Sequence, residues 1–203
     1  PEDIAVANEL LPDMVGFVFA RASRRAVTGE VAKKLGRALA PSIRRVGVFM
    51  EVKMPEIAEM VKRGVIDTVQ LHAPCAFEVS EAQISELRRA TKGAELQIIR
   101  AFGVSDTTLL HEAERTSADL VLLDNPRGGS GEAFDHALLE GFARPYILSG
   151  GLTPENVAPL LERWRPWGVD VSSGIEVAGQ KNRDKMIAFL KAVRMFDGEG
   201  IGR

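Results

Sequence analysis

Short apolar runs rich in β-branched residues alternate along the whole chain with amphipathic stretches of about ten residues, and the pair recurs about every 25 residues. This rhythm narrows the fold to a parallel α/β sheet. Parallel strands are covered on both faces and so read as continuous apolar runs, and each parallel connection needs a crossover helix. The strand candidates are 15–20, 45–50, 68–72, 96–101, 119–124, 146–149 and 169–172. The helix candidates are 1–11, 29–40, 55–63, 80–91, 106–116, 134–142, 154–163 and 183–196. Two helix starts carry explicit signals: Thr153 ahead of Pro154 and Glu155, with Asn156 at the third position, and Ser105 ahead of Asp106.

The alternation opens on a helix. Pro1-Glu2-Asp3 reads as a first helical turn, since proline suits the first helical position and two acids suit the positive end of the helix dipole. A βα repeat that starts on its helix lacks the strand before it. With one strand restored in front, strands and helices match as in a closed barrel. The expected fold is therefore an α/β TIM (β/α)8 barrel lacking its first β-strand, a single domain over residues 1–203, with an open doubly wound sheet as the rival. Pro1 in place of an initiating Met fits processing or truncation.

Composition excludes several classes. A net charge of −2 makes no electrostatic case for nucleic acid or an anionic membrane. Cys75 is the one cysteine, so neither an intrachain disulfide nor a Cys-rich metal site is available. The sequence has no apolar run of membrane-spanning length, and the expectation is a soluble, cytoplasmic protein.

In parallel α/β barrels the chemistry sits at the C-terminal ends of the strands. Three successive strand ends carry glycine clusters: Gly128-Gly129-Ser130-Gly131, Ser149-Gly150-Gly151 and Ser172-Ser173-Gly174. Backbone amides without a Cβ in the way, close to helix N-termini, suit a phosphate. Asp124 ends the run Leu120-Val121-Leu122-Leu123 and is either a general acid/base or a strand-end cap. Arg24 and Arg25 either grip a carboxylate or phosphate or are solvated charges. His72 is a ligand contact or a structural histidine, and Asp170 points into the site or makes a structural contact. His111 and His136 fall in helix candidates and read as surface or packing residues, and Cys75 as a small loop residue.

Taken together, these segments resemble the phosphoribosylanthranilate isomerase family. The likeness is carried in order by Val15-Gly16-Phe17-Val18-Phe19 through Ser23-Arg24-Arg25, Arg45-Val46-Gly47-Val48-Phe49, Val69-Gln70-Leu71-His72, Leu122-Leu123-Asp124, Gly128-Gly129-Ser130-Gly131 through Phe134-Asp135, Leu148-Ser149-Gly150-Gly151-Leu152-Thr153-Pro154-Glu155-Asn156-Val157, and Val169-Asp170-Val171-Ser172-Ser173-Gly174-Ile175-Glu176. The resemblance implies an Amadori rearrangement of N-(5-phosphoribosyl)anthranilate to 1-(2-carboxyphenylamino)-1-deoxyribulose 5-phosphate in tryptophan biosynthesis, with no cofactor and no metal. It implies Asp124 as general acid toward the furanose ring oxygen and a cysteine as general base at the sugar C2. Arg25 would meet the anthranilate end and His72 would line the pocket. Gly129, Ser130, Gly131, Gly150, Gly151, Ser173 and Gly174 would surround the phosphate and sugar, with Asp170 beside them.

The sequence departs from the family in two places. The family's cysteine lies on the first strand in a Lys-x-Cys-Gly motif, ahead of the Pro-Glu-Asp helix start at which this sequence opens. The expectation is that a strand carrying the base precedes Pro1 in the full polypeptide; a polypeptide starting at Pro1 would have seven strands, two open edges and no base from that position. After His72 the family has Gly and an acid, where this sequence has Ala73-Pro74-Cys75, and Cys75 does not match the family cysteine. The alternatives are a non-catalytic phosphate-ligand binder and another sugar-phosphate barrel enzyme. A synthase of the neighbouring step needs a strand-end lysine, for which Lys53 is the nearest candidate, and a histidine-pathway isomerase needs two similar halves, which the sequence does not show. The expected partner is a phosphorylated sugar–anthranilate small molecule, bound by a monomer or a homodimer.

Overall fold

The apolar runs form the strands of one sheet: β1 (Met14–Val18), β2 (Arg44–Phe49), β3 (Thr68–His72), β4 (Gln97–Gly103), β5 (Leu120–Asp124), β6 (Tyr146–Leu148) and β7 (Gly168–Val169). The computed structural model describes residues 1–20, 23–51, 53–72, 79–126 and 133–197. The strands are hydrogen-bonded in chain order from β1 to β7. The β1–β2, β2–β3, β3–β4 and β6–β7 pairs are parallel, with registers such as Val15↔Arg45, Val69↔Ile98 and Leu148↔Val169. An order that never reverses excludes the doubly wound rival, which needs a switch point. Val69, Leu71, Val121 and Leu123 are fully buried, as expected of strands covered on both faces.

The chain divides into two compact units, the first comprising Pro1–Phe102 and Arg115–Val121 and the second Gly103–Glu114 and Leu122–Arg203. In the first unit, α1 (Glu2–Leu10), α2 (Gly29–Ala38), α3 (Met54–Lys62) and α4 (Glu81–Ala90) alternate with the strands. Their apolar faces meet in one cluster that includes Ile4, Phe17, Ala32, Phe49, Ile57, Leu71, Ile84, Leu87 and Ile98. Burying a side chain such as Ile57 or Leu87 stabilises the fold by about 1.5–3 kcal/mol. Local chemistry sets the helix ends. Thr28 Oγ1 accepts the Val31 N–H at 3.3 Å, and Ser80 and Gln83 form a reciprocal capping box at α4. Pro1 sits at the N-cap of α1 rather than at its first helical position. Asn8 binds α1 to the end of α2, donating to the Ala38 carbonyl at 2.7 Å and accepting from the Ala40 N–H at 2.8 Å.

The second unit holds most of α5 (Thr107–Arg115), with α6 (Val157–Trp164) and α7 (Arg183–Asp197). Four of its elements differ from the sequence expectation. The cap of α5 is Asp106, whose Oδ1 accepts the Thr108 N–H at 2.8 Å, rather than Ser105. The segment expected as a helix over 134–142 forms only a 3-10 helix, His136–Leu139, because Asp135 caps it tightly and Gly141, at φ +84°, ends it. Regular α-helix starts at Val157 instead of Pro154: Thr153 and Asn156 close the preceding turn, with the Thr153 N–H donating to Asn156 Oδ1 at 2.8 Å. β7 covers Gly168–Val169 instead of 169–172, since the chain turns into the 3-10 helix Ser173–Ile175. A hairpin, β8 (Glu176–Val177) and β9 (Gln180–Lys181), then follows with no counterpart among the expected strands.

Candidate active site

In the second unit the ends of β5, β6 and β7 are fastened together by backbone hydrogen bonds. The Ser149 N–H donates to the Leu123 carbonyl and the Asp170 N–H to the Leu148 carbonyl, each at 2.9 Å. Asp124, Gly150 and Asp170 therefore stand at three adjoining strand ends. Asp124 is 7% exposed, and its Oδ1 accepts the Asn125 N–H at 2.8 Å. Its carbonyl accepts the Val104 N–H at 2.9 Å, which fixes the backbone beneath the carboxyl. Gly103 lets this happen, since a Cβ there would stand 2.8 Å from the Pro126 Cα. Asn125 is buried and donates to the Ala133 carbonyl at 3.0 Å.

The glycines after β6 and β7 are demanded by the backbone. Gly150 and Gly151 have φ of +91° and +65°, the left-handed region that glycine occupies without strain. A Cβ on Gly174 would overlap the Leu152 carbonyl, so the two loops pack backbone against backbone. Asn156 braces the first of them, its Nδ2 donating to the Gly151 carbonyl at 2.8 Å while its Oδ1 holds the Thr153 N–H. The structure thus brings Asp124, Gly150, Gly151, Asp170, Ser173 and Gly174 into one unit. Asp170 is exposed, one residue beyond β7. Gly129, Ser130, Gly131 and Cys75 lie outside the described residues.

Arg25 and His72 belong to the first unit. Arg25 follows β1 in a turn in which its N–H donates to Ser23 Oγ at 3.1 Å and the Ala26 N–H to the Ser23 carbonyl at 3.0 Å. The chain then returns to β1, with the Val27 N–H on the Val18 carbonyl at 2.9 Å. His72 is the last residue of β3, half-buried, with Nδ1 3.5 Å from Gln70 Nε2. His72 ends its strand, as the sequence reading expects, and Arg25 lies in the loop that follows β1. The other two histidines end no strand: His111 is exposed on α5, and His136 packs edge-on against Phe134 with ring centroids 4.6 Å apart. Desolvation there, partly offset by Asp135, lowers the His136 pKa.

A family model for N-(5'-phosphoribosyl)anthranilate isomerase matches residues 1–192. The chain belongs to this family. The isomerase of Lactiplantibacillus plantarum is 39% identical over 188 residues, covering 92% of this chain and 84% of that protein. That of Acetivibrio thermocellus is 39% identical over 204 residues, covering 97% and 93%. Among solved structures, the phosphoribosylanthranilate isomerase of Thermus thermophilus superposes with a TM-score of 0.83 at 31% identity, covering 96% of this chain and 94% of that one. An isomerase solved in complex with reduced 1-(o-carboxyphenylamino)-1-deoxyribulose 5-phosphate gives 0.79 at 31% identity, covering 96% and 93%. Within the isomerase frame, sequence reasoning missed Gly103, the bracing role of Asn156, and the Glu176–Lys181 pair. Asn156 was visible only as a helix-start signal, and its second bond, to Gly151, has no signature in spacing.

Proposed function

We infer that this chain is an isomerase that rearranges N-(5'-phosphoribosyl)anthranilate to 1-(2-carboxyphenylamino)-1-deoxyribulose 5-phosphate, a step of tryptophan biosynthesis. Asp124 is the general acid. It protonates the furanose ring oxygen, the C–O bond breaks, and the ring opens to an iminium at C1. A base then removes the C2 proton, giving the enolamine that tautomerises to the ketone, so atoms balance with no external reactant. Gly150, Gly151, Ser173 and Gly174, with Gly129, Ser130 and Gly131, take the phosphate and sugar through backbone N–H groups. Asp170 meets the sugar, Arg25 the anthranilate carboxylate and His72 the ring. The observation that carries this reading is Asp124 itself, a buried carboxyl whose strand end is hydrogen-bonded into the strand that runs into Gly150-Gly151.

The seven strands correspond to the second to eighth of the family's (β/α)8 barrel, in which the first strand bears the cysteine base. Support comes from the unbroken strand order and from α1, a helix that precedes β1. Residues 1–203 act as one catalytic domain in the cytoplasm. Among the described residues no helix is long and apolar enough to cross a membrane. Sedimentation decides between monomer and homodimer.

The test is turnover of N-(5'-phosphoribosyl)anthranilate, followed by its fluorescence, in the chain and in Asp124→Asn, each with and without an added Lys-x-Cys-Gly strand. The asparagine keeps the shape and removes the proton, so the rate falls by about 10²–10⁴. An Asp124→Asn protein that turns over at the parental rate overturns the assignment.

A further inference from the structure

The hairpin that follows the last strand-end loop is outside the seven-stranded sheet, and among the described residues its two strands pair only with each other. Two strands of two residues contribute little stability by themselves. Its turn is tight: Ala178 and Gly179 have φ of +49° and +80°, the two successive positive values of a two-residue hairpin loop. This turn sets Lys181 directly across from Glu176. Lys181 Nζ lies 3.1 Å from Glu176 Oε1, donates to the Ser172 carbonyl at 2.8 Å and stands 3.5 Å from Ser172 Oγ. An ammonium has three donors, and these three contacts all go to residues flanking Ser173 and Gly174. The Asn182 N–H closes the same loop on the Ile175 carbonyl at 2.9 Å, and Asn182 Oδ1 then accepts the Lys185 N–H at 3.0 Å in the first turn of α7.

The pair is costly if its task is stability alone. The Glu176 side chain is 5% exposed and that of Lys181 25%. Replacing such a desolvated ion pair by packed apolar side chains is commonly neutral or stabilising. An apolar pair, however, cannot hold a carbonyl. The Ser172–Ser173 peptide is trans and planar, so with its oxygen turned to Lys181 its N–H points the opposite way. Gly174, the next residue, has no freedom to compensate, because its backbone is pressed against Leu152.

We propose that Lys181, anchored by Glu176, is a positioning residue that aims the Ser173–Gly174 backbone amides at the substrate's phosphate group. The proposal rests on the reading of that loop as a phosphate site. Lys181 does not touch substrate in this arrangement; its charge is spent on Glu176 and Ser172.

The test measures dissociation constants for inorganic phosphate and for anthranilate, with KM and kcat, in the parent, Lys181→Met and Lys181→Arg. Loss of the charge-assisted bond to Ser172 weakens phosphate binding and raises KM by about tenfold, with kcat and anthranilate affinity nearly unchanged. Lys181→Arg, which keeps charge and donors, recovers most of the loss. Unchanged phosphate affinity in Lys181→Met overturns the role of Lys181 while leaving the loop assignment intact. Equal weakening of phosphate and anthranilate marks general loosening and also overturns it. A parent chain that binds anthranilate but not phosphate sinks the loop assignment itself. Where Lys181→Met fails to fold, Lys181→Gln, which keeps N–H donors on a shorter stem, carries the same readouts.

Discussion

Gly174 is the residue at which the site tolerates least. Its Cβ position is occupied by the Leu152 carbonyl, a backbone atom that cannot rotate aside. Gly174→Ala must therefore separate the two glycine loops, at a cost of about 1–3 kcal/mol, the usual range for overpacking. Urea unfolding reads that loss, and phosphate affinity falls with it because both loops shift. A variant as stable as the parent would show that the loops yield readily. At this scale the sequence was informative wherever a residue type has one physical use. An aspartate closing an apolar run and glycines at strand ends stand out by themselves: Asp124 ends β5 and Gly150 and Gly151 follow β6, whereas Gly174 falls in a 3-10 turn beyond a β7 shorter than expected. Lys181 and Asn156 were not legible as site-builders, because their partners are backbone carbonyls nine and five residues away, and any lysine or asparagine in a loop reads the same.

Elements are held by carboxylates as much as by apolar faces. Glu81, in the first turn of α4, accepts from Thr116 Oγ1 at 2.6 Å, the Ser117 N–H at 2.9 Å and Ser117 Oγ, and pairs with Arg100 at 3.0 Å. Desolvation alone would raise its pKa, but the Ser117 and Thr116 hydrogen bonds, with the Arg100 charge, outweigh it and hold the group at about 2, from an ordinary 4.5. A carboxyl depressed in the folded state stabilises fully above its unfolded pKa and loses that contribution as pH falls toward the folded one. The stability advantage of the parent over Glu81→Gln is thus whole near neutral pH and shrinks between pH 4.5 and about 2. Half of the side chain is exposed, so solvent screens the gain and it is modest. Denaturant midpoints of the two proteins across that range test this, and a pH-independent gap would remove the carboxylate from the account. Strand positions were legible because burial on both faces leaves continuous apolar runs. Helix and strand ends were less so: Asp106 and Ser105 both qualify as caps by type, and only geometry chooses. The 176–181 hairpin escaped because four strand residues give no periodicity, and the 134–142 segment because its apolar spacing is the same for a 3-10 turn as for a helix.

For the whole molecule, the consequence of the strand order is an asymmetry between β1 and β7, which end it, and the five strands between them, which are paired on both sides. Terminal strands of a parallel sheet carry hydrogen-bonding groups that a neighbour can satisfy, and left open they invite association. In the proposed (β/α)8 arrangement the family's first strand, which bears the cysteine base, is such a neighbour. Stability and catalysis are then linked through one segment. Adding a strand that contains Lys-x-Cys-Gly ahead of Pro1 should raise the unfolding temperature, lower the tendency to associate in sedimentation, and raise turnover by about 10²–10⁴ over the 203-residue chain. Changing the added cysteine to serine separates the two effects: the gain in stability stays, since the strand still pairs, and the gain in rate is lost, since an alcohol is too weak a base. Equal turnover with and without the strand would place the base on another residue of this chain, and an unchanged unfolding temperature would mean that β1 and β7 do not need that neighbour.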